Sequence, residues 1–378
     1  MKKFMLSSLS ILVLAAQLAI PYRVEAQATA SSSGNPAQMA YFYKPPADNN
    51  LAAIAQNFKL VILTRKDESW RDQIEKLGFS NPIFQYYLAN AIHNPGPDDC
   101  GATPYGNTAA DQAGDYCWIR DNHADWFLRD SHGNIITDQD GSETMAYMDP
   151  ANTGWQQFFV QRVLQRQEQY GWGALFLDNV DGSLYRFQRK GISLANYADD
   201  ASYQNGVMSF LNAIHQGYAK VSGKKVFANL TEFNDNDDCT WFRYLGALDG
   251  AMNEGWGVDW HSGYLSESEW EEDISIMQKT QQLGKGAILV SQADNPNDLS
   301  RQAFAYASYL LVANNQTWFR YTNSSQYDQT WMYDNYKINL GKPKNSAYKV
   351  GKTWRRDFAN GYVTVDPYKH KSAIVRQS

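Results

Sequence analysis

Apolar runs of four to six residues alternate along this chain with longer amphipathic stretches. The run ALFLD, Ala174 to Asp178, sets the type: four residues suited to a buried strand stop at Asp178 and Asn179, with Asp181 and Gly182 close behind. A continuous apolar run reads as a parallel strand covered on both faces, and its polar end as the point where the strand emerges at a barrel rim. Runs of this kind predict strands at Met39 to Tyr43, Leu60 to Thr64, Ile83 to Leu88, Ala174 to Asp178, Val226 to Leu230, Gly250 to Asn253, Ala287 to Ser291 and Thr317 to Tyr321. Helical periodicity predicts helices over Thr153 to Tyr170, Tyr203 to Ser222, Glu267 to Leu283 and Asp298 to Ala313. Ser266 with Glu269 three residues on has the form of a capping box, and Gly turns such as LGKGAILV lead from helix to strand. Eight strands alternating with helices is the arithmetic of an α/β fold of the (β/α)8 TIM-barrel type, here over residues 37–338.

Three segments break that rhythm. After the third strand, Ala89 to Asp149 forms a long excursion whose pattern WIRDNHADWFLRDSHGN argues for order, and ordered excursions of this length are usually functional. Residues 339–378 hold a polar linker, NLGKPKNSAYKVGK, and the alternating GYVTVDPYKHKSAIV, which predicts a β hairpin packed on the barrel. Residues 1–26 carry two lysines, an apolar run and the small-residue pattern Val24-Glu25-Ala26, the form of a secretory signal cut after Ala26. The competing reading is an uncleaved anchor, for which the run is short. Residues 27–36, QATASSSGNP, read as a disordered leader. The expected location is therefore secreted or periplasmic.

Composition narrows the chemistry. Twelve Trp and 24 Tyr with a mild net charge of -6 suit a protein that handles something polar and ring-shaped. No Lys/Arg stripe supports nucleic-acid binding. Of three cysteines, Cys100 and Cys117 flank one Gly-rich loop and are the favoured disulfide, leaving Cys239 free. No CxxC or close Cys/His set supports zinc, and no metal or cofactor is expected. The acidic run NDNDD, from Asn234, and DNVDG lack the ligand spacing of a calcium loop and read as solvated turns. No GxSxG, Walker loop or GxGxxG is present.

In such a barrel the strand ends would converge Asp178 and Asn179, Asn229 and Glu232, Glu254, and Gln292 with Asp294 on one mouth. Carboxylates and amides bind sugar hydroxyls while aromatic faces stack on the ring, which points to a carbohydrate. Glycosidic cleavage needs one carboxylate and one protonated carboxyl. Asp178, rigidly placed, is the candidate nucleophile. Glu254, in MNEGWG with Met252 and Trp256 nearby, is the candidate acid, and Glu232 competes with it. Asp181 and Asp294 each have a structural reading as loop or turn residues. His123 and His132, in the excursion, read as surface histidines.

The segments HADWFLRDSHGNII, MDPANTGWQQFF, GWGALFLDNVDGSLYRF, MNEGW and RRDFANGYVTVDP together resemble glycoside hydrolase-like family 15, and the resemblance extends in order from Met39 to Asp366. More distantly they are similar to glycoside hydrolase family 114 and the α-galactosidase-type barrels. The resemblance implies a nucleophilic Asp ending the fourth strand and an acid/base carboxylate after the sixth, at Asp178 and Glu254. It implies retaining action on an α-linked sugar, with Asp149 and Asp125 lining or bracing the mouth. Trp256 and Trp118 are the first candidates for stacking on sugar rings. The whole reads as a secreted, monomeric glycoside hydrolase with a carbohydrate substrate; the alternative is a carbohydrate-binding barrel without catalysis, and a metal-dependent deacetylase is a remoter third.

Overall fold

The computed structural model describes residues 37–233, 238–258 and 263–377. The expected signal peptide and leader, and Asn234 to Asp237 of the acidic run, lie outside the described residues. β1 (Met39–Phe42), β2 (Phe58–Leu63) and β3 (Phe84–Leu88) open the barrel. The excursion follows, carrying β4 (Ala91–Asn94), β5 (Thr137–Asp140) and β6 (Glu143–Tyr147). The barrel resumes with β7 (Ala174–Asp181), β8 (Val226–Thr231), β9 (Gly250–Asn253), β10 (Gly286–Ala293) and β11 (Thr317–Asn323). These eight strands, all parallel, close in the order β1-β11-β10-β9-β8-β7-β3-β2. The fold is a (β/α)8 TIM barrel.

Alternation along the strands divides two cores. Phe42, Ile62, Phe84, Phe176, Phe227, Met252 and Val290 point inward and fill the barrel. Their sequence neighbours, such as Leu175 and Leu177, face the surrounding helices. The helices Thr153–Tyr170, Glu267–Gln282 and Leu299–Val312 match the periodicity, and Ser266 with Glu269 forms the capping box. The helix expected at Tyr203 starts at Asp200, where Asp199 and Ser202 cap one another. Two short helices, Leu51–Asn57 and Glu68–Lys76, went unseen because two turns are too short to show a period.

The excursion is an ordered layer: β4, β6 and β5 form an antiparallel sheet, and the helix Asp115–Asn122 follows β4. Arg162 and Arg166, on the helix Thr153–Tyr170, clamp it to the barrel through Asp111 and Asp115 at 2.5 to 2.7 Å. A disulfide joins Cys100 to Cys117, and Cys239 is free and exposed. Opening that bridge frees a loop of 17 residues' separation, a loss of about 3 kcal/mol. Denaturant melts of Cys100→Ser/Cys117→Ser beside wild type should show it as a lower midpoint; equal midpoints would mean the clamp alone orders the layer.

Beyond the barrel, the expected hairpin is part of a four-stranded antiparallel sheet, β12 (Tyr348–Val350), β13 (Thr353–Phe358), β14 (Gly361–Asp366) and β15 (Lys371–Arg376). It docks on the last barrel helix through Arg356, whose buried guanidinium donates to Leu310 O and Ala313 O at 3.1 and 2.8 Å. Those are carbonyls the helix end leaves open. Among the described residues no helix is long and apolar enough to cross a membrane.

Candidate active site

The inward parity that buries Phe176, Phe227 and Met252 carries Asp178, Asn229 and Glu254, two residues on in each case, to the mouth at the C-terminal ends of three neighbouring strands. A bulge sharpens this placement. Pairing runs Leu177↔Ala228 and then Val180↔Leu230, so Asp178 and Asn179 together face Asn229. Asn179 takes the extra step in the left-handed region, φ 56°, which asparagine tolerates better than most residues. Gly182 then passes under Phe233, where a Cβ would lie 2.9 Å from the ring.

Asp178 accepts three hydrogen bonds: from Tyr86 Oη to Oδ2 at 2.6 Å, and from the Asn179 N–H and Asn229 Nδ2 to Oδ1, both at 2.9 Å. The same Asn229 nitrogen donates to Glu254 Oε2 at 2.8 Å. One amide therefore ties the two carboxyl groups. Two N–H bonds of 2.9 and 2.8 Å diverging by about 120° from one nitrogen put the nearer oxygens roughly 5 Å apart.

The environments of the two groups differ in kind. Burial pushes the Asp178 carboxyl up, and the three donors with the Arg186 charge oppose it. Burial also pushes Glu254 up, the charge on Asp178 adds to it, and Asn229 alone opposes. A shared proton therefore rests on Glu254 and the charge on Asp178.

Two cavities open on this pair. One, about 600 Å³, is lined by Asp178 and Glu254 with Tyr43, Tyr86, Tyr105 and Tyr327. The other, about 510 Å³, takes Glu254 with Asn229, Arg189, Glu232 and Asn253. The tyrosines form a packed wall, Tyr43 lying 5.1 Å from Tyr86 and 5.0 Å from Tyr327 between ring centres. Arg320, buried in the barrel, fixes the wall by donating to Phe42 O at 2.9 Å and Tyr327 O at 2.6 Å.

Several expected site residues lie elsewhere. Trp256 is fully buried, its backbone N–H bonded to Val290 O, so it presents no face to a sugar. The raised Glu254 carboxyl is owed to burial and Asp178. Trp118 sits on the excursion helix, stacked against Phe158 and packed on Trp126 and His123, outside the lining of both cavities. Asp149 is buried and takes hydrogen bonds from the Ala151 N–H and Tyr197 Oη, bracing the end of the excursion. Asp125 likewise holds Asn152. Asp294 is engaged by Ser324 and lines neither cavity. Asn179 and Asn229 do line the site, and Glu232 lines the second cavity, ion-paired with Arg189 at 3.2 Å and Arg186 at 3.5 Å.

Asp181 is the buried partner of Arg186, at 2.7 and 2.8 Å. Arg186 itself, Tyr43, Tyr86 and Tyr327 were missed in the sequence. Inward parity singles out Tyr86, two residues after Phe84; Arg186 and Tyr327 reach the mouth from segments that carry no such period.

Behind Glu254, Asp273 of the helix Glu267–Gln282 accepts from Asn253 Nδ2 at 2.9 Å and the Gly257 N–H at 3.4 Å, pinning both sides of the segment that carries the acid. Burial pushes its carboxyl up to about 7. A carboxyl raised on folding contributes stability below its unfolded pKa that is lost as pH rises through the folded one. Wild type should thus lose melting temperature between about pH 4 and pH 7, and Asp273→Asn should lose less. Parallel Tm-against-pH curves would count against this.

The model of the hypothetical glycosyl hydrolase family 15 matches residues 99–362, more than two thirds of the chain. No curated protein matches it in sequence. Among solved structures, an α-galactosidase from Thermus thermophilus is similar at 11% identity and TM-score 0.51, over 90% of this chain and 68% of that one. The glycoside hydrolase domain of PelA from Pseudomonas aeruginosa is similar at 14% identity and TM-score 0.49, over 78% and 97%. At such identities the likeness is one of fold. The family match is the stronger finding: the chain belongs to the hypothetical glycosyl hydrolase family 15 and is a glycoside hydrolase.

Proposed function

We propose that this glycoside hydrolase is an exported enzyme that cleaves an α-linked oligo- or polysaccharide with retention of configuration, Asp178 acting as nucleophile and Glu254 as acid and base. The observation that carries the reading is the single Asn229 amide nitrogen bonded to both carboxyl groups. Retaining enzymes keep their carboxyl groups about 5–5.5 Å apart, and inverting enzymes need room for a water between them. The spacing inferred from Asn229 fits the first.

Asp178, ionised and aimed by Tyr86, attacks the anomeric carbon while Glu254 delivers its proton to the departing glycosidic oxygen. Glu254, now a carboxylate, takes a proton from water as that water releases the sugar from Asp178. Asn229 spans both steps, since its amide donates to either group in either protonation state. The α-linkage draws on the likeness of this barrel to the Thermus α-galactosidase, and export on the pattern of residues 1–26.

The test is product release, read by mass spectrometry, from a panel of α-linked glycans that includes amino-sugar polymers. Cleavage of at least one, with the α-anomer formed first by NMR, is the expected result. A β-anomer first would replace the retaining scheme with an inverting one.

A further inference from the structure

The two cavities divide the reacting pair unequally. Asp178 lines only the first, with the tyrosine wall, whereas Glu254 borders both. If Asp178 is the nucleophile, the sugar it attacks sits within its reach, in the first cavity. The acid must touch the bridging oxygen, which lies between that sugar and the group that departs. A proton donor on the boundary therefore assigns the two sides of the scissile bond to the two cavities.

The walls differ as these roles would require. No aromatic ring lines the second cavity among its described residues; Arg186, Arg189, Glu232, Asn229, Asn253 and Thr231 do. Their charges are matched: Arg186 pairs with Asp181 at 2.7 Å and with Glu232 at 3.5 Å, and Arg189 pairs with Glu232 at 3.2 Å. Two guanidinium groups against two carboxylates leave directional hydrogen bonds and no net attraction for a charged group. At about 510 Å³ the space is of the size that takes a small-molecule ligand. Glu232 is held in the left-handed region, φ 54°, which turns the chain at the end of β8.

We propose, on the footing of the glycosidase mechanism above, that the second cavity is the leaving-group subsite, and that it binds the departing sugar unit through its hydroxyls by the Arg189–Glu232 pair. The first cavity holds the attacked sugar against tyrosine faces. The enzyme then requires a sugar, and not merely any leaving group, on the far side of the bond.

The test compares two probes of one sugar: an α-linked tetrasaccharide of glucose, galactose or N-acetylgalactosamine, whichever the glycan panel shows cleaved, and the α-glycosyl fluoride of that sugar. The fluoride leaves the second cavity without a sugar. In Arg189→Ala and in Glu232→Gln, the ratio of kcat/KM for the tetrasaccharide to kcat/KM for the fluoride should fall about ten-fold. Arg189→Ala leaves the Arg186–Asp181 pair in place, so it isolates the subsite where Glu232→Gln disturbs Arg186. Ratios within two-fold of wild type in both variants would overturn the assignment, as would wild type that turns over the fluoride and not the tetrasaccharide. Wild type that turns over neither probe, nor any glycan of the panel, would instead bring down the mechanism on which the assignment rests.

Discussion

Asp178→Asn should lower kcat by at least about 10³-fold, equivalent to about 4 kcal/mol of lost transition-state stabilisation, while leaving glycan affinity nearly intact. The amide has almost the shape of the carboxylate: with its oxygen in the Oδ1 position it can still accept from the Asn179 N–H and Asn229, while its NH2 faces the Tyr86 hydroxyl, which can accept, so the site keeps its geometry and loses its attacking charge. Stopped assays with calorimetric binding to the unreactive variant would show this split. A loss of binding in step with turnover would make Asp178 a binding group, and retention of a tenth of the activity would remove it from the nucleophile's role.

Glu254→Gln should lower kcat/KM for an oligosaccharide by about 10²- to 10⁴-fold and cost far less with an activated aryl α-glycoside, whose leaving group departs without a proton. The pH profile gives a second reading. Glu254 must be protonated, so wild-type activity should fall as pH rises through its carboxyl, which burial and the Asp178 charge hold well above the ordinary glutamate range. Asp178 must be ionised, so activity should also fall in acid, where its own burial-raised carboxyl takes up a proton. The alkaline limb should therefore be displaced upward, and in Glu254→Gln it should vanish while the acid limb stays. An alkaline limb that survives the substitution would belong to another group. Glu232 is the nearest alternative, though its pairing with two arginines suits it to binding more than to proton donation.

The barrel was legible because its strands are covered on both faces and so appear as short apolar runs, each stopping where the chain reaches solvent. The same logic marked Asp178 and Glu254, since a carboxyl directly after such a run stands at the mouth. Parity was the signal left unused: with Phe84 inward, Tyr86 must be inward too, and it is the strongest donor to Asp178. The two tryptophans stand off the mouth for different reasons. Trp256 is buried in the packed core, where a large apolar ring gains most, whereas Trp118 is exposed on the excursion helix and packs against Phe158, Trp126 and His123. Arg186 reaches the site only because Asp181 is turned under it by the bulge at Asn179, and a bulge changes register without leaving a mark in the hydrophobic pattern. The sheet of the excursion escaped notice because β5, TDQD, is polar throughout and is held by its partner strand.

The most direct test of the mechanism is to trap its intermediate. Incubation with a 2-deoxy-2-fluoro-α-glycosyl fluoride of the cleaved sugar, followed by proteolysis and mass spectrometry, should place the glycosyl group on the Asp178 side chain, with no label in Asp178→Asn. Label on Glu232 or Glu254 in place of Asp178, or turnover of the reagent to inverted sugar with no label at all, would contradict the account.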